Sequence, residues 1–361
     1  LAVGAYWSDP GGLSKAGAAY IYHLEANGSA TYLAKVTAPD AAADAEFGAS
    51  ISQSGDVLVV GAPDAAPGGL SQAGAAYLYK VEQNGSVTYI DKVTAPDAAV
   101  SDHFGASVSH SGDVLAVGAH YSDPGGVDKA GAVYLYKLEQ NGSVTYIDKL
   151  TAHDGATTDR FGASVSRSGD LLAVAAHFSD PGGISDAGAA YLYKLEQNGT
   201  ITYIDKVVAP DAAVDDKFAL SVSMSGDLLA VGSNFSDPGG LTDAGSAYLY
   251  RLEHNGTVTF LDKMTAPDGV ADDRFGRAVY QSGEILAAGA HFSDPGGIGS
   301  AGAVYLFSDP SWACAPCVLS LPAAMACCLA DANLRRLAGG ATSPRFQSSL
   351  LGIMPEMTPA T

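Results

Sequence analysis

The chain has 361 residues, 47% of them hydrophobic, and its 39 acidic and 19 basic side chains give a net charge of −20. That length and apolar content suffice for a large buried core, while the negative field excludes nucleic acid and anionic lipid surfaces as partners and favours cations and cationic partners. All four cysteines, Cys314, Cys317, Cys327 and Cys328, lie after residue 307, so the rest of the chain must hold by packing, and cysteine usage does not fix the compartment.

The first residues, Leu1-Ala2-Val3-Gly4-Ala5, match the interior of later units, so the chain reads as if it opens inside a repeat, with any leader upstream. Phe-Gly then stands at 47, 104, 161 and 275, with Phe218-Ala219 in the remaining slot, a constant step of 57 residues. In the unit 104–160 the expected first strand is Phe104 to Ser109, made of small residues. Ser111-Gly112-Asp113 turns it into an apolar second strand, Val114 to Ala119. A longer loop with Ser122-Asp123-Pro124-Gly125-Gly126 leads to the third strand, Ala132 to Leu138, whose Tyr134 and Tyr136 share a face by period-two alternation. Asn141-Gly142 predicts a type I′ hairpin, with both residues at positive φ, into the fourth strand, Ser143 to Leu150.

Four antiparallel strands at this period predict an all-β fold, a β-propeller of four-stranded blades. Small residues on the first strand and tyrosines on the third fit a wedge, narrow at the axis and wide at the rim. The units are 47–103, 104–160, 161–217 and 218–274, with partial ones at 1–46 and 275–307. Six blades are visible, and upstream sequence would complete six or seven. Residues 308–361 share nothing with the repeat and read as an irregular tail.

Phe-Gly, then Val60-Gly61-Ala62-Pro63, then Gly131-Ala132-Val133-Tyr134, in this order, resembles the FG-GAP repeats of the integrin α-subunit propeller. Lys92-Val93-Thr94-Ala95-Pro96-Asp97 ahead of Phe104-Gly105 is closer to a variant in large surface proteins of bacteria and marine microbes. The resemblance covers residues 1–307. It implies a propeller used for recognition or adhesion outside the cell or at its surface, with calcium in the turn between strands one and two. Here those turns are only Ser54-Gly55-Asp56, Ser111-Gly112-Asp113, Ser168-Gly169-Asp170 and Ser225-Gly226-Asp227. One carboxylate per turn falls short of the 6–8 oxygens that calcium takes, so that site is not carried over.

Strand polarity puts the two long loops of each blade on one face and the two tight turns on the other. The long-loop face repeats Asp97, Asp154, Asp211 and Asp268 in one loop and Asp123, Asp180, Asp237 and Asp294 in the other; these eight are the expected binding residues. Asp102, Asp159, Asp216 and Asp273 stand near each Phe-Gly. Three carboxylates per blade, such as Asp97, Asp102 and Asp123, are the alternative calcium set, with Gly and Pro carbonyls adding ligands. The simpler reading is that each aspartate caps a turn.

His120, His177 and His291 recur in one slot, with Tyr6 and Asn234 as equivalents; their spread over different blades favours loop packing over zinc. Asn27, Asn84, Asn141, Asn198 and Asn255 form glycosylation sequons that coincide with the hairpin turns. No nucleophile elbow, phosphate loop or dinucleotide fingerprint occurs, and no enzyme is expected. The charge-free stretch 312–330 ahead of Arg335-Arg336 is the sole candidate membrane span. The expected function is therefore non-enzymatic binding or adhesion toward a protein or glycan through the acidic long-loop face. A structural spacer in a large surface protein, or an accessory propeller of an enzyme, is the alternative.

Overall fold

A computed structural model describes residues 1–308, except positions 26, 83, 140, 197, 198 and 254. The tail, with its cysteines and the 312–330 stretch, and the Asn198 sequon lie outside the described residues. Six antiparallel sheets follow one another as the blades of a β-propeller, each with strands in sequence order. The third blade comprises Ser107–Ser111, Val114–Ala119, Ala132–Leu138 and Val144–Leu150. The second, fourth and fifth are also four-stranded. The first has three strands, beginning at Ala2–Ala5, and the sixth has three, ending at Ala303–Ser308.

First strands touch the first strands of neighbouring blades, which places them at the axis. Their small residues do more than save space. Ser52 Oγ accepts the His110 N–H at 2.9 Å, Ser109 Oγ the Arg167 N–H at 2.9 Å, Ser166 Oγ the Met224 N–H at 2.9 Å and Ser223 Oγ the Gln281 N–H at 3.0 Å. Each hydroxyl satisfies a backbone donor of the next blade that no strand partner reaches.

The core lies between blades. Third strands are buried on both faces: Tyr134 and Tyr136 pack with Phe104 and residues of the second blade, whereas Val133 and Leu135 pack against Phe161 and the fourth. The sixth blade shows what such a cover removes. Val304 and Leu306, the counterparts of fully buried Val133 and Leu135, are 71% and 39% exposed.

The Phe-Gly motif starts the inner strand, as expected from sequence, only in the sixth blade, at Phe275–Ser282; in the second to fifth blades the strand begins later and the motif is a bolt between blades. In the third blade the strand begins at Ser107. Phe104 forms a parallel bridge with Gly74 and donates its N–H to the Ala73 carbonyl at 3.0 Å. Gly105, at φ 92°, then turns the chain so that its N–H reaches the Gly118 carbonyl at 2.9 Å. The fully buried Phe104 ring stands edge-on to Tyr134 and Tyr136 at 5.5 and 6.1 Å.

The hairpins also differ from expectation. Gly85 and Gly142 have positive φ. Glu82 N–H reaches across to the Ser86 carbonyl, and Gly85 N–H returns to Glu82 at 2.9 Å, so the loop is one residue longer than a type I′ turn. Asn84 Oδ1 accepts the Ser86 N–H at 2.9 Å, a local side-chain bond that helps close the turn.

Candidate functional site

The aspartates expected to bind ligand are each engaged in the fold. Asp97 accepts the Tyr134 hydroxyl and the Lys149 ammonium, both at 2.8 Å, which ties the incoming loop to strands three and four of its blade. Asp154 does the same with Tyr191 and Lys206, and Asp211 with Tyr248 and Lys263. Asp268 accepts Tyr305 at 2.7 Å. Burial raises the pKa of Asp97, Asp154 and Asp211, but bonds from the lysine and tyrosine outweigh it and hold all three below the usual carboxylate range.

The second series holds strained turns. Asp123 accepts the N–H of Lys129 at 2.7 Å, Asp180 that of Asp186 at 2.8 Å, Asp237 that of Asp243 at 2.8 Å and Asp294 that of Ser300 at 2.5 Å. The four donors all adopt positive φ, between 49° and 51°, a region that side chains other than glycine avoid. The third series, Asp102, Asp159, Asp216 and Asp273, is buried and accepts the N–H three residues back. Asp97, Asp102 and Asp123 thus serve three separate bonds. Among the described residues, no three His, Cys, Asp or Glu side chains group closely enough to hold a metal. Asp97, Asp102 and Asp123, the alternative calcium set, are therefore not brought together as one group of ligands.

On the inner rim of the same face the structure assembles something that the sequence reading missed. Every blade except the second, which has Asp64 there, contributes an aromatic residue just past strand two, and the residues before the bolt Phe of the fourth, fifth and sixth blades each lie between two such rings. Arg160 lies over Tyr121 and Phe178 at 4.7 and 4.4 Å. Lys217 lies over Phe178 and Phe235 at 5.2 and 4.1 Å, and Arg274 over Phe235 and Phe292 at 4.2 and 5.5 Å. Toward the first blades the charges reverse: Trp7 Nε1 donates to Glu46 at 3.0 Å, and His103 Nδ1 meets Asp64 at 2.8 Å. A molecule of net charge −20 therefore carries one basic aromatic arc.

A cleft of about 280 Å³ opens on this arc between the fourth, fifth and sixth blades. It is lined in part by His177, Lys217, Asn234, Phe235, Arg274 and Arg277, and no carboxylate lines it. Arg274 pairs with Asp243 at 3.3 Å; Lys217 and Arg277 have no carboxylate within 4.0 Å among the described residues. Two buried atoms at the cleft, His177 Nδ1 and Asn234 Oδ1, have no hydrogen-bond partner. Burial first, then the nearby Arg160, push the His177 pKa down to about 3, so its imidazole is neutral at pH 7.

That neutral imidazole implies a pH dependence. Unfolded, His177 titrates near 6.5 and takes up a proton the folded protein refuses, so its contribution is fully present above that pH and is lost as pH falls from 6.5 toward 3. At pH 4 the loss is about 3 kcal/mol. His177→Asn, which installs the residue found naturally at 234, is expected to flatten urea-derived stability between pH 7 and 4. An unchanged slope would contradict the burial assignment.

These features define a β-propeller of tandem repeats whose loops are internally braced and whose inner rim carries the ligand-like chemistry. The chain belongs to the FG-GAP repeat family, whose model matches residues 31–79, 88–136, 144–193, 202–250 and 258–307. Each match runs from the outer strand of one blade through strand three of the next, so the sequence repeat is offset from the blade. Among solved structures, the crystal structure of a protein from Lactobacillus plantarum is similar in fold at 15% identity, with a TM-score of 0.51 over 82% of this chain and 75% of that one. No curated protein matches the chain in sequence. Among the described residues, no helix is long and apolar enough to cross a membrane.

Proposed function

We propose that the propeller is a non-catalytic recognition module acting outside the cell or at its surface, and that it meets a protein or glycan with the inner rim of its long-loop face. One contrast supports this reading. The turns of the opposite face repeat almost unchanged, as Ser-Gly-Asp at 54, 111, 168 and 225 and Ser282-Gly283-Glu284. The rim changes from blade to blade: the residue before the bolt is Glu46, His103, Arg160, Lys217 and Arg274 in turn. The opposite face also varies, at Gln53, His110, Arg167, Met224 and Gln281 just before those turns; what sets the long-loop rim apart is that its variation gathers Arg160, Lys217 and Arg274 against aromatic rings on a chain of net charge −20.

The test is retention of the full chain on arrayed glycans and extracellular matrix proteins, alongside a combined Arg160→Gln, Lys217→Gln, Arg277→Gln variant. Retention on a defined subset, lost in the variant, is the expected result. A folded chain retained nowhere would overturn the reading and leave the spacer role.

A further inference from the structure

We propose that the cleft between the fourth, fifth and sixth blades is a subsite for an acidic sugar, which presents a carboxylate to Lys217, Arg274 and Arg277 and hydroxyls to Asn234 and His177. This deepens the reading of the rim as the recognition surface and rests on it.

Three independent observations converge on the cleft. The first is charge. Three cations line one small cleft that no carboxylate lines; Arg274 pairs with Asp243, Lys217 feels Asp186 without forming an ion pair, and neither Lys217 nor Arg277 has a carboxylate within 4.0 Å among the described residues. Like charges held together favour an anion from outside.

The second is polar satisfaction. Asn234 is 1% exposed and His177 6%, yet Asn234 Oδ1 and His177 Nδ1 have no partner in the fold. His120 Nδ1, in the His177 slot one blade earlier and outside the cleft, is orphaned too, so Asn234 Oδ1 is the unpartnered acceptor peculiar to this cleft. An amide oxygen accepts, so an anion cannot satisfy it; a hydroxyl can. The ligand that satisfies the cleft therefore brings an anionic group together with a hydrogen-bond donor, which a sugar hydroxyl supplies. An inorganic anion or an acidic side chain supplies the charge alone.

The third is departure from the repeat. Where the other blades have Ala49, Ala106 and Ala163 after Phe-Gly, the fifth and sixth have Leu220 and Arg277. Asn234 replaces histidine in its slot, and Ala219 replaces the bolt glycine. Three of these four line the cleft. Phe292 lines the cleft, is 44% exposed and offers apolar surface to the C–H side of a pyranose. At about 30 Å³ per water, the cleft holds about nine waters, room for one sugar ring.

The experiment is calorimetric titration of the full chain with digalacturonate, with galactobiose as the neutral arm and tetraglutamate as the peptide arm. Digalacturonate is expected to bind at least about tenfold more tightly than either. Arg277→Gln and Lys217→Gln should each weaken it by about tenfold. Lys129→Gln, which removes an exposed lysine from a long loop, should leave it unchanged, and all three variants should keep the parent melting temperature. Equal binding of galactobiose, tighter binding of tetraglutamate, undiminished binding in Arg277→Gln, or no binding would each overturn the proposal. If digalacturonate fails but array retention persists, the acidic-sugar assignment alone falls; if both fail, so does the recognition reading.

Discussion

Replacing Phe161 by alanine is expected to destabilise the protein by about 3–5 kcal/mol, the range for removing a fully buried aromatic ring. Phe161 is 0% exposed and joins Val133 and Leu135 of the third blade to Val174 and Tyr191 of the fourth. Its ring stands edge-on to Tyr191 and Tyr193 at 5.4 and 6.2 Å, geometry that adds to simple burial. Its backbone holds the same junction, through the bridge to Gly131 and the bond from its N–H to Ala130 at 2.9 Å, so neighbours cannot easily collapse into the space. The comparison is Tyr203→Ala on the outer strand, where the ring is 41% exposed and the loss should stay near 1 kcal/mol. Urea unfolding measures both. Equal losses would mean that the bolt does not carry the interface.

The second large effect is expected at Gly118. A Cβ there would lie 2.0 Å from the Gly162 carbonyl oxygen of the next blade and 2.3 Å from Ser107 Oγ. The first obstacle is backbone, which cannot rotate aside. Gly118→Ala should therefore cost more than about 3 kcal/mol or prevent folding. The molecule contains its own precedent. In the fourth blade this slot holds Ala175, and there the next bolt reads Phe218-Ala219. The parallel bridge formed by Phe47, Phe104, Phe161 and Phe275 is not formed by Phe218. The change there is local: Phe218 still donates its N–H to Ala187 at 2.8 Å, while Ala219 sits at φ 69° where the bolt glycines stand between 83° and 97°. Gly125→Ala, with positive φ but open space around it, should cost only about 1 kcal/mol. A Gly118→Ala variant as stable as Gly125→Ala would show that the blades do not approach so closely.

The propeller was legible because each blade repeats the same solution: small residues on the axis, an apolar second strand and paired tyrosines outside. The second and third strands of the 104–160 unit begin and end where the pattern placed them, at Val114–Ala119 and Ala132–Leu138. The role of Phe104-Gly105 was not legible. A two-residue motif beside a strand looks like its beginning, and only three dimensions reveal that its partners, Gly74 and Ala73, lie on the preceding blade.

The aspartates show a related limit. Their abundance on long loops points to ligand, but the partners of Asp97 are 37 and 52 residues away at Tyr134 and Lys149. Repetition in every blade was the available signal, since a carboxylate that serves the fold is needed once per blade. The rim was missed for the opposite reason. Reading down the repeat shows what the units share, while Arg160, Lys217, Leu220, Asn234 and Arg277 stand where the units differ. Comparing each position across the five steps would have singled them out.

The most direct measurement sets two combined variants side by side for melting temperature and array retention. Asp97→Ala, Asp154→Ala, Asp211→Ala strips three braces from buried tyrosine hydroxyls and should lower stability by about 1–2 kcal/mol per site while retention survives. Arg160→Gln, Lys217→Gln, Arg277→Gln should melt with the parent and lose retention. The reverse outcome, with the carboxylates required for capture and the rim cations dispensable, would contradict the account.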